Sequence, residues 1–223
     1  QFWRAHLERL PAPLALPSDL PRPARWQSEA EVVRFGVPTA LRQAMQIRAQ
    51  QLGLAPVVLW LQAWATTLAQ RAAQSELVIG VMTHGREAPE WSTLTGFLAR
   101  ALPLCLRGLD AASTAQRTRE IATRLHAALG HADIGVEQLA KALDLPRDPS
   151  RALLFQNTFS FEQDNSPEPS WPGLRAREWP MPLRGAEHDV GLWLQGGRER
   201  MEGVLVGAAA LLDETALRGL ACD

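Results

Sequence analysis

The stretch Arg147–Phe161, RDPSRALLFQNTFSF, changes character halfway along. Its first half crowds Arg147, Asp148, Ser150 and Arg151 around Pro149. Proline fixes φ at about −65° and removes an N–H, so this half reads as a turn. The second half puts Phe155, Phe159 and Phe161 on alternating positions with Asn157 between them, the period of a strand with one buried face. Arg147, Asp148 and Arg151 are then expected to form a buried charged clamp that fixes the turn, while Leu154 and Phe155 begin a core strand. A catalytic reading of the cluster, with Ser150 as nucleophile, needs a histidine that the sequence does not place nearby. Ser150 beside Pro149 reads as a turn or cap residue.

Upstream, Phe2–Leu10 reads as a short amphipathic helix, followed by the connector PAPLALPSDLPRP at 11–23, whose five prolines favour an extended chain. Residues 29–37 read as a strand. Pro38 opens a helix that stops at Gly53. Residues 55–73 carry Val58, Leu61, Trp64 and Leu68 at helical spacing and are apolar nearly all round, which predicts a buried helix. ELVIGVM (76–82) and ALPLCLRG (101–108) read as strands. Ser113–Leu129 is a helix with Ile121, Leu125 and Leu129 on one face, and Val136–Leu143 is a shorter one.

Downstream, the Pro-rich segment 162–188 is long enough to be a functional crossing or lid. DVGLWLQ and MEGVLVGA flank Gly196-Gly197 as an antiparallel hairpin. Asp213 caps a last helix. The order α, β, α, α, β, β, α, α, β, β, β, α gives a mixed α/β fold without internal repeats.

The 223 residues suffice for one large domain or two small ones. Twenty-three basic and 24 acidic residues leave a formal charge of −1, which argues against a nucleic-acid or anionic-membrane surface. The apolar run Leu52–Trp64 falls short of the roughly 20 residues of a membrane span, and QFWRAHLERL is no signal peptide. Cys105 and Cys222 lie far apart without C-x-x-C spacing, so neither a disulfide framework nor a zinc site is expected, and a reducing cytoplasm is the default. The eight tryptophans imply large apolar cores or clefts, and the absence of tyrosine removes one common catalytic acid. The chain begins without Met and with helical character, which reads as a fragment of something longer.

None of the common mechanistic motifs occurs. The histidines lie at 6, 84, 126, 131 and 188, and no metal site is expected because His126 and His131 straddle Gly130. His131-Ala-Asp133 reads either as an oriented general base or, with greater weight, as a linker histidine whose neighbour Asp133 caps the next helix. Arg86, just past the strand 76–82, could bind an anionic group at the crevice where strands end in open α/β sheets. It could equally pair with Glu87 or Glu90 at a solvated rim.

Taken together, these segments resemble the condensation domains of nonribosomal peptide synthetases. FWRAHLERLPAPLALPSDLPRP is similar to the family's Y-W-x-x-x-L followed by L-P-x-D-x-P-R-P. VIGVMTHGR, with Gly85 and Arg86, is similar to v-x-G-x-p-x-x-G-R, and TGFLARALPLCLR, with Gly96, to I-G-x-F-V-N-T-L-x-L-R. HADIGVEQLAKAL matches H-x-D-x-P-F-E-x-L at His131, Asp133 and Glu137. RDPSRALLFQNTFSF is the strongest match, resembling R-D-x-S-R-x-P-L-F-Q-x-x-F at Arg147, Asp148, Arg151, Phe155 and Gln156. HDVGLWL and LLDETAL resemble strings near the family's end, and the order is collinear.

The resemblance implies a chloramphenicol acetyltransferase-like fold of two lobes, of which this chain looks like the C-terminal one, a mixed sheet flanked by helices. It implies a layout of helix and connector at 1–28, lobe core at 29–161, a segment crossing to the other lobe at 162–188, and hairpin with closing helix at 189–223. The implied reaction joins a donor acyl or peptidyl thioester to an acceptor aminoacyl thioester, each on the phosphopantetheine arm of a carrier protein. The implied partners are the N-terminal lobe, both carrier proteins and neighbouring synthetase domains. The catalytic H-H-x-x-x-D-G is expected upstream, so no catalytic residue is assigned here and the fragment alone is expected to be inactive.

Arg86, Gly96, Arg100, His131 and Asp133 are the candidates for the tunnel or lobe interface, while Gly85, Glu137, Arg147, Asp148, Arg151, Phe155 and Gln156 are structural motif positions. Leu98-Ala99-Arg100-Ala101 departs from the family's F-V-N-T and puts a positive charge where a neutral Asn faces the tunnel. Gly135-Val136 replaces Pro-Phe, and Leu153 replaces a proline. These departures keep open a non-catalytic platform that recruits a tailoring enzyme or carrier protein. A free-standing acyltransferase of the same superfamily is a third reading.

Overall fold

The protein is described here from a computed structural model, which describes residues 1–18, 20–86, 89–110, 113–163, 171–174, 183–196 and 200–223. Six strands form one mixed sheet: β1 (Ala30–Gly36), β2 (Leu77–Thr83), β3 (Arg100–Leu106), β4 (Asn157–Gln163), β5 (Val190–Gly196) and β6 (Met201–Ala208). Their spatial order is β1-β6-β5-β4-β2-β3. β2 and β5 flank β4 in parallel, and the other pairings are antiparallel. The helices are α1 (Phe2–His6), α2 (Thr39–Leu52), α3 (Pro56–Ala72), α4 (Thr114–Leu129), α5 (Val136–Ala142) and α6 (Glu214–Cys222).

The strand register explains the core. Val33, Leu205, Leu192, Phe159, Val81 and Leu102 stand opposite one another across all six strands, and each is buried. Side chains one residue away point to the other face. Burying a residue such as Phe159 contributes about 2 kcal/mol. The helices close this face: α3 packs on β2 and β4, α6 on β1 and β6, and α4 and α5 reach β3. A Cβ on Gly207 would stand 2.9 Å from Leu217 of α6, so the glycine admits the helix. Val58, Leu61, Trp64 and Leu68 of α3 are all buried, as its nearly all-round apolar sequence predicts.

The central β2–β4 junction is short. Only Gly80↔Thr158 and Val81↔Phe159 pair there, against seven register pairs between β4 and β5. Asn157, fully buried, extends the junction by donating its side-chain N–H to the Val78 carbonyl at 2.9 Å.

The elements follow the sequence order, with several local differences. α1 ends at His6 rather than Leu10. Leu129 is 38% exposed, and Ala128 completes the buried stripe of Ile121 and Leu125. The reason is geometric: at 3.6 residues per turn, position 128 returns to within about 20° of 121, whereas 129 lies about 80° away. β4 begins at Asn157, because Leu154 has φ +66° and the Phe155 N–H bonds back to Leu153 in a turn. The hairpin pairs β5 with β6, with Gly197 outside the described residues. Most of the expected crossing segment, residues 164–170 and 175–182, also lies outside them. No single helix is long and apolar enough to cross a membrane.

Candidate functional site

β2, β4 and β5 run parallel, so their carboxyl ends lie at one edge of the sheet. Thr83 at the end of β2 pairs with Arg100 at the start of β3, and the 84–99 loop joins them at that edge. Gly85 has φ +66°, and a Cβ there would overlap the Leu98 carbonyl oxygen, so only glycine lets the loop fold back on itself. Arg86 braces the fold. Its guanidinium donates to the carbonyls of His84 (3.2 Å), Leu94 (3.1 Å) and Gly96 (3.2 Å), and its backbone N–H donates to His84 Nδ1 (2.9 Å). The planar fork is occupied by backbone oxygens, and Glu87 lies outside the described residues. The loop turns an apolar rim outward: Trp91, Leu94 and Phe97 are exposed, Phe97 to 92%.

Beside this loop, Arg100 Nη1 donates to the Ala132 carbonyl at 2.8 Å, tying β3 to the turn between α4 and α5. His131 in that turn is exposed. Its Nδ1 lies 2.9 Å from the Ala127 carbonyl, and its ring stacks on Phe2 at 4.1 Å and 7°. Trp3 Nε1 donates to the His131 carbonyl at 2.9 Å. These contacts are those of a linker histidine. Asp133, also exposed, does not cap α5, whose N-cap is Gly135 without a side-chain hydrogen bond. Glu137 is exposed in the first turn of α5. Arg86, Gly96, Arg100, His131 and Asp133 therefore gather at one end of the sheet.

The 147–156 motif lies at the opposite end, where β4 begins. Asp148 Oδ1 accepts from the Ser150 N–H (2.8 Å) and hydroxyl (2.6 Å), and Oδ2 lies 3.3 Å from Arg151 Nε. Those Ser150 hydrogen bonds, with Arg151 and Arg22 nearby, hold the Asp148 carboxyl below its usual range. The expected buried clamp is not what forms: the Asp148 side chain is 52% exposed, and Arg147 is exposed and makes no hydrogen bond or ion pair with another described residue.

The buried ion pair here is one that the sequence reading missed. Arg22 grips the Asp189 carboxylate with both terminal nitrogens and donates a further bond to the Ser150 carbonyl at 3.2 Å. The only signal was one charge in each of two short strings, Pro21-Arg22-Pro23 and His188-Asp189-Val190. The motif fastens the connector elsewhere too. The Trp26 N–H donates to Pro149, its indole N–H to Ala186, and the Leu14 N–H to Gln156 Oε1 at 3.0 Å. Phe155, buried, lies over Gly80. The cluster is a fastening, and His188 is stacked on its Phe155. Among the described residues, no three His, Cys, Asp or Glu side chains gather as metal ligands.

The condensation domain profile matches residues 1–175. The chain is 28% identical over 217 residues to malpinin synthetase of Mortierella alpina, covering 97% of this chain and 3% of that protein. It is 27% identical over 221 residues to N-(5-amino-5-carboxypentanoyl)-L-cysteinyl-D-valine synthase of Amycolatopsis lactamdurans, covering 98% of this chain and 6% of that one. The X-domain in its complex with OxyB from teicoplanin biosynthesis superposes with a TM-score of 0.86 at 25% identity, covering 99% of this chain and 49% of that chain. The condensation domain of the Monacolin K polyketide synthase MokA shares the fold at a TM-score of 0.79 and 16% identity, with 99% and 53% covered. The chain thus spans about half of these solved chains and a few per cent of the synthetases. With the profile covering more than half of its residues and the sheet matching throughout, the chain belongs to the condensation domain family of the nonribosomal peptide synthetases.

Proposed function

We propose that this chain is the C-terminal lobe of a condensation domain and forms one wall of its reaction crevice. Its lobe core spans 29–161, its connector 1–28, its crossing 162–188 and its closing hairpin and helix 189–223. The 223 residues contain no H-H-x-x-x-D-G; a second lobe supplies it. The amine of an acceptor aminoacyl thioester attacks the carbonyl of a donor thioester, the amide bond forms, and the donor carrier's phosphopantetheine thiol leaves. In this scheme Arg86 and Gly85 shape the crevice lip, Arg100 fixes the neighbouring turn, and no residue of this chain transfers the proton. Carrier proteins and adjacent synthetase domains in the cytoplasm are the partners.

The observation that carries the reading is the rim at the carboxyl ends of β2, β4 and β5, where Phe97, Leu94 and Trp91 face outward from a loop held rigid by Arg86. Such a rim fits burial against a second lobe. The test combines the chain with the H-H-x-x-x-D-G half from the same gene and follows amide product from loaded carrier proteins by mass spectrometry. Product is expected only with both halves and is lost when the second histidine is changed to alanine. Turnover by the 223 residues alone, or turnover indifferent to that histidine, would sink the proposal.

The likeness to an X-domain solved with OxyB favours a second reading, recruitment of a tailoring oxygenase without condensation. Specific oxygenase binding by a complete domain that makes no amide would establish it.

A further inference from the structure

The sheet face turned away from α6 and α3 holds a cavity of about 260 Å³. Its floor comes from Thr158, Gly191 and Val206 on β4, β5 and β6, in a register row that Gly80 of β2 extends beyond the lining. Two glycines flank Thr158 in that row, and an aromatic side chain lies over each. Phe155 covers Gly80, and the six-membered ring of Trp193 covers Gly191, where a Cβ would stand 2.8 Å from the ring and 2.5 Å from Thr158 Oγ1. Met82 and Trp193 complete the sheet side, and Gly185–His188 form the opposite wall. His188, itself stacked on Phe155 at 5.1 Å and 17°, lines the wall and Trp193 the sheet side, so two aromatic rings border the space.

The polar groups are few. The Thr158 hydroxyl has no hydrogen-bond partner among the described residues, and it can donate or accept. Burial lowers the pKa of His188, against the pull of Glu187 and Asp189, which leaves the imidazole neutral at neutral pH. The Glu187 carboxylate at the lining disfavours an anionic occupant. Flat apolar walls and one or two neutral hydrogen-bonding groups select a flat ring bearing a single hydroxyl.

We propose that this cavity is a side-chain pocket for an uncharged, hydroxyl-bearing aryl group, the phenol class, carried on a thioester substrate. The assignment rests on the condensation reading only for how the group arrives; the pocket itself is testable in the chain alone. The probes are p-cresol and toluene, titrated against the 223-residue chain while following the indole N–H resonance of Trp193, assigned with Trp193→Phe. p-Cresol should shift that resonance saturably with a Kd on the order of 1 mM, the range for so small a ligand. Thr158→Val keeps the shape and should weaken p-cresol roughly 5- to 10-fold while leaving toluene unchanged. Gly191→Ala pushes the indole into the cavity and should weaken both.

A Trp193 resonance that p-cresol leaves unmoved overturns the proposal, and this wild-type result stands even if a variant fails to fold. Equal p-cresol affinity in folded Thr158→Val and wild type also overturns it. A reconstituted domain that makes no amide, while p-cresol binding follows the expected pattern, refutes the condensation reading and leaves the pocket standing.

Discussion

Replacing Asp189 with alanine should be among the most costly single changes outside the apolar core. The Asp189 side chain is 6% exposed and that of Arg22 21%, and the guanidinium meets the carboxylate through two parallel contacts. Deleting one member of a buried pair costs about 3–5 kcal/mol, because the other charge is left without a partner. Arg22 keeps its Ser150 carbonyl and some access to water, which places the loss near the low end, about 3 kcal/mol. For a chain of this size that lowers the melting temperature by about 6–12 °C. Urea unfolding followed by circular dichroism gives the free energy, and limited proteolysis should find new cleavage in residues 11–25, which the pair fastens. Arg22→Met combined with Asp189→Ala should recover part of the loss, with a coupling of about 2 kcal/mol. A loss below about 1 kcal/mol for Asp189→Ala, or strictly additive single changes, would refute the argument.

Asp148→Ala should be milder, because its carboxylate lies in an open turn; a melting temperature as low as that of Asp189→Ala would contradict this. His6 is depressed to about 4, first by burial and then by Arg124 and Arg107, and its Nε2 accepts the Cys105 N–H at 3.1 Å. A histidine whose folded pKa lies below its unfolded value of 6.5 contributes stability that is present above pH 6.5 and lost as pH falls toward 4. About 2 kcal/mol should disappear across that window once screening is allowed for, and His6→Gln should flatten the slope of urea-unfolding free energy against pH. Gly85→Ala should disorder the 84–98 loop, raising its protease sensitivity while the far-ultraviolet spectrum stays unchanged; an uncut loop would show that the close approach to Leu98 is dispensable.

The sequence was most legible where one periodicity ran without competition. α3 is apolar nearly all round, β2 is an apolar run rich in β-branched residues, and Gly53 with φ +64° ends α2 where expected. It was least legible where structure depends on partners distant along the chain. Arg22 and Asp189 are 167 residues apart, and nothing local marks either as the buried pair, whereas Arg147, Asp148 and Arg151 look like a cluster because they are adjacent. The turn at Leu154 was hidden for a related reason: a positive φ is announced by glycine or asparagine, and leucine gives no such sign. The pocket was illegible because its floor is spread over three strands, and only the register aligns Thr158, Gly191 and Val206 into one row.

The short β2–β4 junction divides the sheet mechanically into two panels. The larger panel, β1-β6-β5-β4, carries the aryl pocket's Trp193 and the segment leading out at Gln163; the smaller, β2-β3, carries the loop with Phe97. Two ladder pairs and one asparagine side chain join the strands at the seam, and α3, packed on both β2 and β4, bridges it, so a load applied to the Phe97 rim reaches the larger panel beside Thr158. Docking at the rim and filling of the proposed pocket would thus both bear on this joint, which Asn157 lengthens beyond its two ladder pairs.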